Sequence, residues 1–428
     1  MLRMPLVGGN WNNGANAGIA ALNLNNRRGN ANTNIGFRPA LLLCQMPGVH
    51  GRLDGAKKKR SRIPSREREN INSRARPVGP AEGRRAALFN TMKTVNNIFD
   101  SVIDFDNLYE AYKAASCGKR YRRAQLEFTA NLEENLITIQ NEIIWGMWKP
   151  LPLREFWIND PKKRLISAPA YRDRIVHHAL VQVIDPIFDR KFIHDSHACR
   201  VGHGTHYAVH RLQWFTRRAQ RAWGEYYVYK GDIKSFFPSI HHETLKKIVR
   251  RTISDRRILA LIDLIIDGYR DGSRGLPIGA LTSQLFANAY LDPLDHFAKE
   301  QLGIRFYMRY MDDFVCIVQN KSEARSVAYS LEQYIRDGLL LEINPKSGIH
   351  HGKNGIAFCG FRIWPTHILP RRSTMRRATR RLRKLSNTAT AARFRASVMS
   401  FIGYFKHFSA HRSMQSILYR LIIKGGSK

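Results

Sequence analysis

The spacing of apolar positions changes several times along the chain, and each change marks an element. From Asn96 to Ala115, and again from Ala124 to Trp148, apolar residues recur at helical spacing and predict two helices. Arg154–Ile158 and Lys163–Ser167 flank the turn residues Asn159-Asp160-Pro161 and predict a hairpin. A helix is expected from Asp173 to Phe192, and a buried strand from Tyr226 to Ile233. Phe306–Tyr310 and Phe314–Val318 predict a second hairpin, with Met311-Asp312-Asp313 as its turn. The tail carries three apolar stripes at helical spacing: Met375, Ala378, Leu382 and Leu385; Phe394, Val398, Phe401, Ile402 and Phe405; then Met414, Ile417, Leu418, Leu421 and Ile422. Before residue 92 the pattern fails. Residues 10–34 hold ten asparagines, and Gly51 to Arg85 is nearly free of apolar side chains. Such a segment cannot bury enough surface to offset the entropy of ordering it, so residues 1–91 are expected to be largely disordered, with a short ordered piece around Trp11 to Leu43.

The composition narrows the partners. The chain has 428 residues, enough for two or three globular units, and carries 70 Lys+Arg against 34 Asp+Glu, a formal net charge of +36. An excess of cations this large points to a polyanion, because Lys and Arg facing a nucleic acid release its condensed counterions. A membrane is not expected: no run of eighteen apolar residues occurs, and Ile258–Tyr269 is interrupted by Asp263 and Asp267. The start of the chain lacks the apolar core of a secretory signal, and five scattered cysteines without a CxxC pair indicate neither a disulfide framework nor a zinc site. The cytoplasm of a bacterial, archaeal or phage-infected cell fits best. Residues 366–428 contain 15 basic residues and no acid. In the first tail helix Arg376, Arg377, Arg380, Arg381, Arg383 and Lys384 surround the apolar stripe, and with nothing to pair with they predict a phosphate-facing surface.

Two carboxylate positions carry the candidate chemistry: Asp232 at the end of a buried strand and Asp312-Asp313 at a hairpin tip. Carboxylates brought together from two strands repel unless cations sit between them. Two Mg²⁺ ions about 4 Å apart, with Mn²⁺ as a substitute, would activate an attacking hydroxyl and stabilise a leaving oxygen. In these residues the sequence resembles a reverse transcriptase, over most of 92–428. Gly231-Asp232-Ile233-Lys234-Ser235-Phe236-Phe237 is similar to the first catalytic motif, and Tyr310-Met311-Asp312-Asp313 to the YxDD motif. The resemblance implies an α+β right-hand polymerase: fingers over 92–225, a palm with an antiparallel sheet over 226–365 (motif B helix at 276–300, primer grip at 356–363), and a three-helix thumb over 366–428. It implies metal contacts from Asp232, Ile233, Asp312 and Asp313. It further implies a ribose gate at Phe237, which would select deoxynucleotides, and a general acid at Lys346 in Leu341-Glu342-Ile343-Asn344-Pro345-Lys346-Ser347. Arg164 would clamp the triphosphate, its fork matching phosphate oxygens, assisted by Lys162 or Lys163. Arg200, Gly202 and Gly204 would lie along the template, with Tyr310 beside it, and Cys359, Gly360 and Phe361 would grip the primer.

The type of enzyme rests on Ile278-Gly279-Ala280-Leu281-Thr282-Ser283-Gln284. Intron-type and retroviral enzymes carry Gln before that glycine and end the block in Ser-Pro. Ile278 and Gln284 instead resemble the reverse transcriptases of diversity-generating retroelements, which copy a template-repeat RNA with frequent errors at adenines; an intron-like or defence-associated enzyme is the alternative, and a non-catalytic RNA-binding scaffold a further one. Ile278, Gly279 and Gln284 would then line the nucleotide site, and Ile278, unable to hydrogen-bond the incoming nucleotide, would loosen discrimination. The Asn-rich stretch is similar to the variable ends of the proteins those elements diversify, so residues 1–91 are expected to be translated template repeat and spacer ahead of a start near Met92. The resemblance implies template RNA, a cDNA primer, deoxynucleotides and a small basic accessory protein as partners. Neither a Cys/His-rich nuclease module nor an RNase H domain is recognisable.

Overall fold

The structure is a computed structural model that describes residues 94–419, except 120, 160–162, 270–272, 407, 410, 413, 416 and 418. The Asn-rich arm, Lys162 and most of the third tail stripe therefore lie outside the described residues. The first expected helix is two. α1 (Phe99–Ile103) ends at Asp104, whose carboxylate accepts from the Asn107 amide and starts α2 (Phe105–Ser116) afresh. The second is likewise broken at Asn131, with α3 at Arg123–Ala130 and α4 at Leu132–Ile144. β1 (Arg154–Ile158) and β2 (Arg164–Ala168) form the expected hairpin, with Phe156 opposite Ile166. α5 (Tyr171–Asp189) packs along α2, and α6 (Thr205–Trp223) follows the turn at Gly202 and Gly204.

The sheet that bears the acids has the order β4-β5-β3-β6 and is antiparallel throughout: β3 Tyr227–Asp232, β4 Phe306–Tyr310, β5 Asp313–Val318 and β6 Gly348–His351. Between β3 and β4 run α7 (Phe236–Ser239), α8 (His242–Arg250), α9 (Arg256–Asp267) and α10 (Thr282–His296); α11 (Lys321–Gln333) follows β5 and packs on the sheet. The expected helix over 276–300 thus begins only at Thr282, because Leu276–Leu281 is a loop tied to Phe237 and Ser167 through backbone hydrogen bonds. The outer edge of β4 does not stay open. Arg309 N donates to the Asp195 carbonyl at 2.9 Å and His197 N to the Arg309 carbonyl at 3.0 Å, which removes a pairing edge. A second sheet holds β7 (Ile356–Phe358), β8 (Phe361–Ile363) and β9 (Ile368–Pro370), with Cys359 (φ 45°) and Gly360 (φ 86°) making the tight turn between the first two. Two tail helices follow, α12 (Arg372–Thr388) and α13 (Ala391–Phe405). On α12 Thr374, Ala378 and Leu382 are buried, and Met375 packs half-buried against the same core.

Gly231 shows how tightly the sheet is packed beside the acids. It pairs directly with Phe314, whose ring folds across it: a Cβ at Gly231 would lie 2.0 Å from Phe314 Cζ. Gly231→Ala is therefore expected to cost about 1–3 kcal/mol, the range for overpacking a filled site. Thermal denaturation checks this, and adding Phe314→Leu should recover part of the loss.

Candidate active site

The register brings the acids together. Asp232, the last residue of β3, pairs across the sheet with Asp313, the first of β5, and Asp313 also faces Tyr310. Asp313 therefore belongs to the strand rather than to the turn, which consists of Met311 and Asp312. Asp312 is half-buried, and desolvation of its carboxyl together with the neighbouring Asp232 and Asp313 carboxylates pushes it up to about 7. Met311 has φ 56° and Ser235, three residues after Asp232, has φ 48°. Such values in non-glycine residues cost of order 1–3 kcal/mol, so the surrounding packing imposes them.

A set of polar contacts holds this arrangement. Asn344 Nδ2 donates to Asp232 Oδ2 at 2.7 Å, Asn344 N to the Asp232 carbonyl at 2.8 Å, and Asp232 N to Ser347 Oγ at 2.9 Å. Lys230, two residues before Asp232 and on the same face of β3, places Nζ 2.8 Å from Asp313 Oδ1. Ile233 N donates to the Asp312 carbonyl at 3.2 Å. Beneath the turn Arg309, with no exposed surface, binds Asp295 through Nε (2.7 Å) and Nη2 (2.6 Å), and its Nη1 donates to the Met311 carbonyl at 3.0 Å. Sequence reading missed Lys230, Asn344, Ser347 and the Arg309–Asp295 pair. Strand alternation gave a signal for Lys230, and Asn344 and Ser347 lie within a motif read for its lysine instead.

The hairpin β1–β2 reaches the same place. Arg164 is close enough to Asp312 for their charges to interact, and its Nη1 is buried without a hydrogen-bond partner. Gln284 Oε1, on the first turn of α10, is likewise buried and unpartnered. Gly279 (φ +135°) lies against β2, where a Cβ would come within 3.1 Å of Ile166 Cγ2 and the Ser167 carbonyl. Ile278 packs on Ile158 and Ile166, and its carbonyl accepts from Ser167 N at 3.0 Å. Lys163 is exposed, with Nζ 4.5 Å above the Trp157 ring.

Other expected residues are placed differently. Phe237 is 1% exposed and packs edge-on against Phe236, so its ring serves the core. Arg200 is not open to a template: its guanidinium is spent on Asp189 Oδ1 (2.6 Å) and on the carbonyls of Ile193 and Ser196. Gly202 supplies a positive φ in the preceding turn, and a Cβ at Gly204 would meet nothing within 4 Å. Tyr310 is buried, its hydroxyl 3.1 Å from Thr205 Oγ1. Cys359, Gly360 and Phe361 are also buried, with Phe361 against Phe408 and Tyr404 and the Gly360 carbonyl accepting from Arg371 N. Any grip there uses the surface above the turn, not these side chains. Lys346 is exposed, and its amide donates to Asn344 Oδ1. On α12, Arg376, Arg380, Arg383 and Lys384 are exposed, Arg377 and Arg381 partly covered.

Residues 159–363 match the family described as Reverse transcriptase (RNA-dependent DNA polymerase). Protein YkfC of Escherichia coli K12 is 28% identical over 276 residues, 55% of this chain and 72% of that protein. The group II intron-encoded protein LtrA of Lactococcus lactis subsp. cremoris is 26% identical over 234 residues, 51% of this chain but 38% of its own length. Among solved structures, apo telomerase from Candida tropicalis aligns with 67% of this chain and 64% of that one at TM-score 0.43 and 11% identity. Residues 159–363 thus match a reverse transcriptase (RNA-dependent DNA polymerase) domain within a mixed α+β fold, and the chain is similar to group II intron-type proteins.

Domains of this family in general use divalent metals, and the donors here fit one: three carboxylates offering hard oxygen ligands, with the single Lys230 ammonium beside Asp313 as a counter-charge. Among the described residues no trio of His, Cys, Asp or Glu forms a ready-made metal cage. Asp312, raised from 3.8 to about 7, makes a testable cost. Between those values the folded chain binds a proton that the unfolded chain has lost, so this group lowers stability as pH rises from about 4 to 7. In EDTA, Asp312→Asn should melt above the parent at pH 8, with the gap closing toward pH 4; Mg²⁺ should raise the parent's melting temperature more than the variant's. Calorimetry across that pH range tests both.

Proposed function

We propose that the chain copies RNA into DNA, with Asp232 and Asp312 as the principal metal-binding acids and Asp313 assisting. The observation that carries the reading is the juxtaposition of Asp232, Asp312 and Asp313 at the end of a covered sheet, with Arg164, its Nη1 buried without a hydrogen-bond partner, close enough to interact with Asp312. Two bound divalent cations, Mg²⁺ by preference, would neutralise the acids and supply Lewis-acid activation of the primer 3′-hydroxyl and the leaving oxygen. The chain's own side chains do the rest. Arg164 orients the triphosphate, and Gln284 offers its free carbonyl to the nucleotide. Asn344 and Ser347 fix the Asp232 carboxylate and backbone. Lys346, exposed on the following turn, is assigned as proton donor to pyrophosphate. The fingers are assigned to 92–225, the palm to 226–365 and the thumb to 366–428, where the exposed arginines of α12 face the template–primer duplex.

Within this class the chain is read as a diversity-generating, adenine-mutagenic enzyme with a small basic accessory protein. Ile278 and Gln284 in motif B and the ten asparagines of residues 10–34 support that reading. The similarity to an intron-encoded protein favours a second one, an intron-type enzyme of ordinary fidelity. One set of primer-extension assays tests both levels. Asp312→Ala should abolish incorporation while RNA binding persists, and retained extension would remove the site. Sequenced cDNA from the parent should show substitutions concentrated at template adenines and reduced in Ile278→Gln; rare, evenly scattered errors select the intron-type reading.

A further inference from the structure

Helix α6 carries a surface that the polymerase site does not use. Its inner face, including Val209, Leu212, Phe215 and Ala219, is buried and packs on β4 and β5. Its outer face presents Trp214, Arg217, Arg218 and Arg221 to solvent, with Arg211 half-buried beside them. Trp214 is 41% exposed, an unusual position for an indole, and two guanidiniums flank it: Arg211 Cζ at 4.6 Å and Arg218 Cζ at 5.2 Å from the ring. No acid occurs in the 19 residues of the helix. The nearest carboxylate on the Arg211 side, Asp195, is nearly buried and already engaged by Arg211 and Lys299. Glu225, just past the helix, faces His351. Arg217 is held by the Pro365 carbonyl at 2.7 Å, and next to that carbonyl Trp364 stacks on His367 at 4.6 Å, so an aromatic pair adjoins the outer face of the helix.

The helix leads away from the acids. At its start Thr205 touches Tyr310, beside the catalytic turn, while at its end Trp223 packs on Phe306, at the far end of β4. At 1.5 Å per residue, Arg221 stands roughly 24 Å along the helix from Thr205. We propose that the outer face of α6 binds a single-stranded segment of RNA outside the catalytic cleft. Arginines without acids supply the phosphate contacts, and exposed planar groups, indole and guanidinium alike, supply stacking surfaces for unpaired bases. A duplex would use the charges and leave the indole idle. The proposal draws on the polymerase reading only in taking RNA as the polyanion.

The full chain and two variants, Trp214→Ala and Arg218→Glu/Arg221→Glu, are compared in fluorescence-anisotropy titrations with a 30-nucleotide unstructured RNA, alongside Arg256→Glu/Arg336→Glu, an equal charge change at exposed sites elsewhere. Both α6 variants should bind roughly tenfold more weakly, the scale of one lost stacked base or two phosphate contacts, with unchanged melting temperature. Extension of a short preformed RNA–DNA template–primer should stay at the parent rate. Equal weakening in the control pair, unchanged binding in both α6 variants, or a loss of extension that parallels the loss of binding would overturn the proposal. Displacement of the RNA by polyglutamate as readily as by unlabelled RNA would also overturn it, in favour of an acidic protein partner. If the parent itself fails to extend primers, the polymerase reading falls while weaker RNA binding by the variants still supports the α6 site.

Discussion

A guanidinium buried without exposed surface underlies the geometry of the candidate site. Arg309 reaches Asp295 on α10, Asn288 about two turns before it, Ser196 on the segment covering β4, and the carbonyl of Met311 in the turn that carries Asp312. Tyr307 adds a hydrogen bond to Asp295 at 2.6 Å. Burying such a pair gains little net stability, because desolvation offsets the attraction, but breaking it by removing one partner costs about 3–5 kcal/mol. The pair acts chiefly as a fixed point. Three segments distant in sequence must meet there, or the charge is left unsatisfied.

The turn above that fixed point is the least comfortable part of the sheet. Met311 is held at positive φ with its side chain buried, and Asp312 sits among like charges that hold its proton on to near neutrality. Both features are costs that the Arg309 network and the packed sheet sustain. They make sense together as preparation for cations: carboxylates kept close before the counter-charge arrives need not be gathered afterwards. Lys230 on Asp313 partly relieves the repulsion, which leaves Asp312 with the larger share of it.

Strong periodicity made the elements legible. The two hairpins and the helices at 171–189 and 372–388 were readable because burial of one face determines each. Breaks inside helices were not: Asp104 and Asn131 interrupt runs whose apolar spacing continues across them, and only at Asp104 does a side-chain cap account for the break, a local choice that periodicity does not register. The acids were legible from where they fall relative to strand ends. Residue types alone misled at Arg200, which resembles a phosphate ligand but serves Asp189 and backbone carbonyls, and at Cys359 and Phe361, which lie inside. An arginine's partner depends on what the fold brings to it, and that is written only in tertiary contacts.

The claim that Arg309 and Asp295 exist to aim the catalytic turn, rather than to stabilise the sheet, is tested most directly by primer extension with Arg309→Met/Asp295→Leu. Apolar replacement of both partners removes the charges without leaving one unpaired, so the melting temperature should fall less than in either single replacement, and incorporation is compared well below it. With the Met311 carbonyl released, nucleotide incorporation should fall by roughly tenfold or more, as misplacement of reacting groups by about 1 Å costs on the order of a hundredfold. Incorporation at the parent rate by the folded double variant would contradict the account.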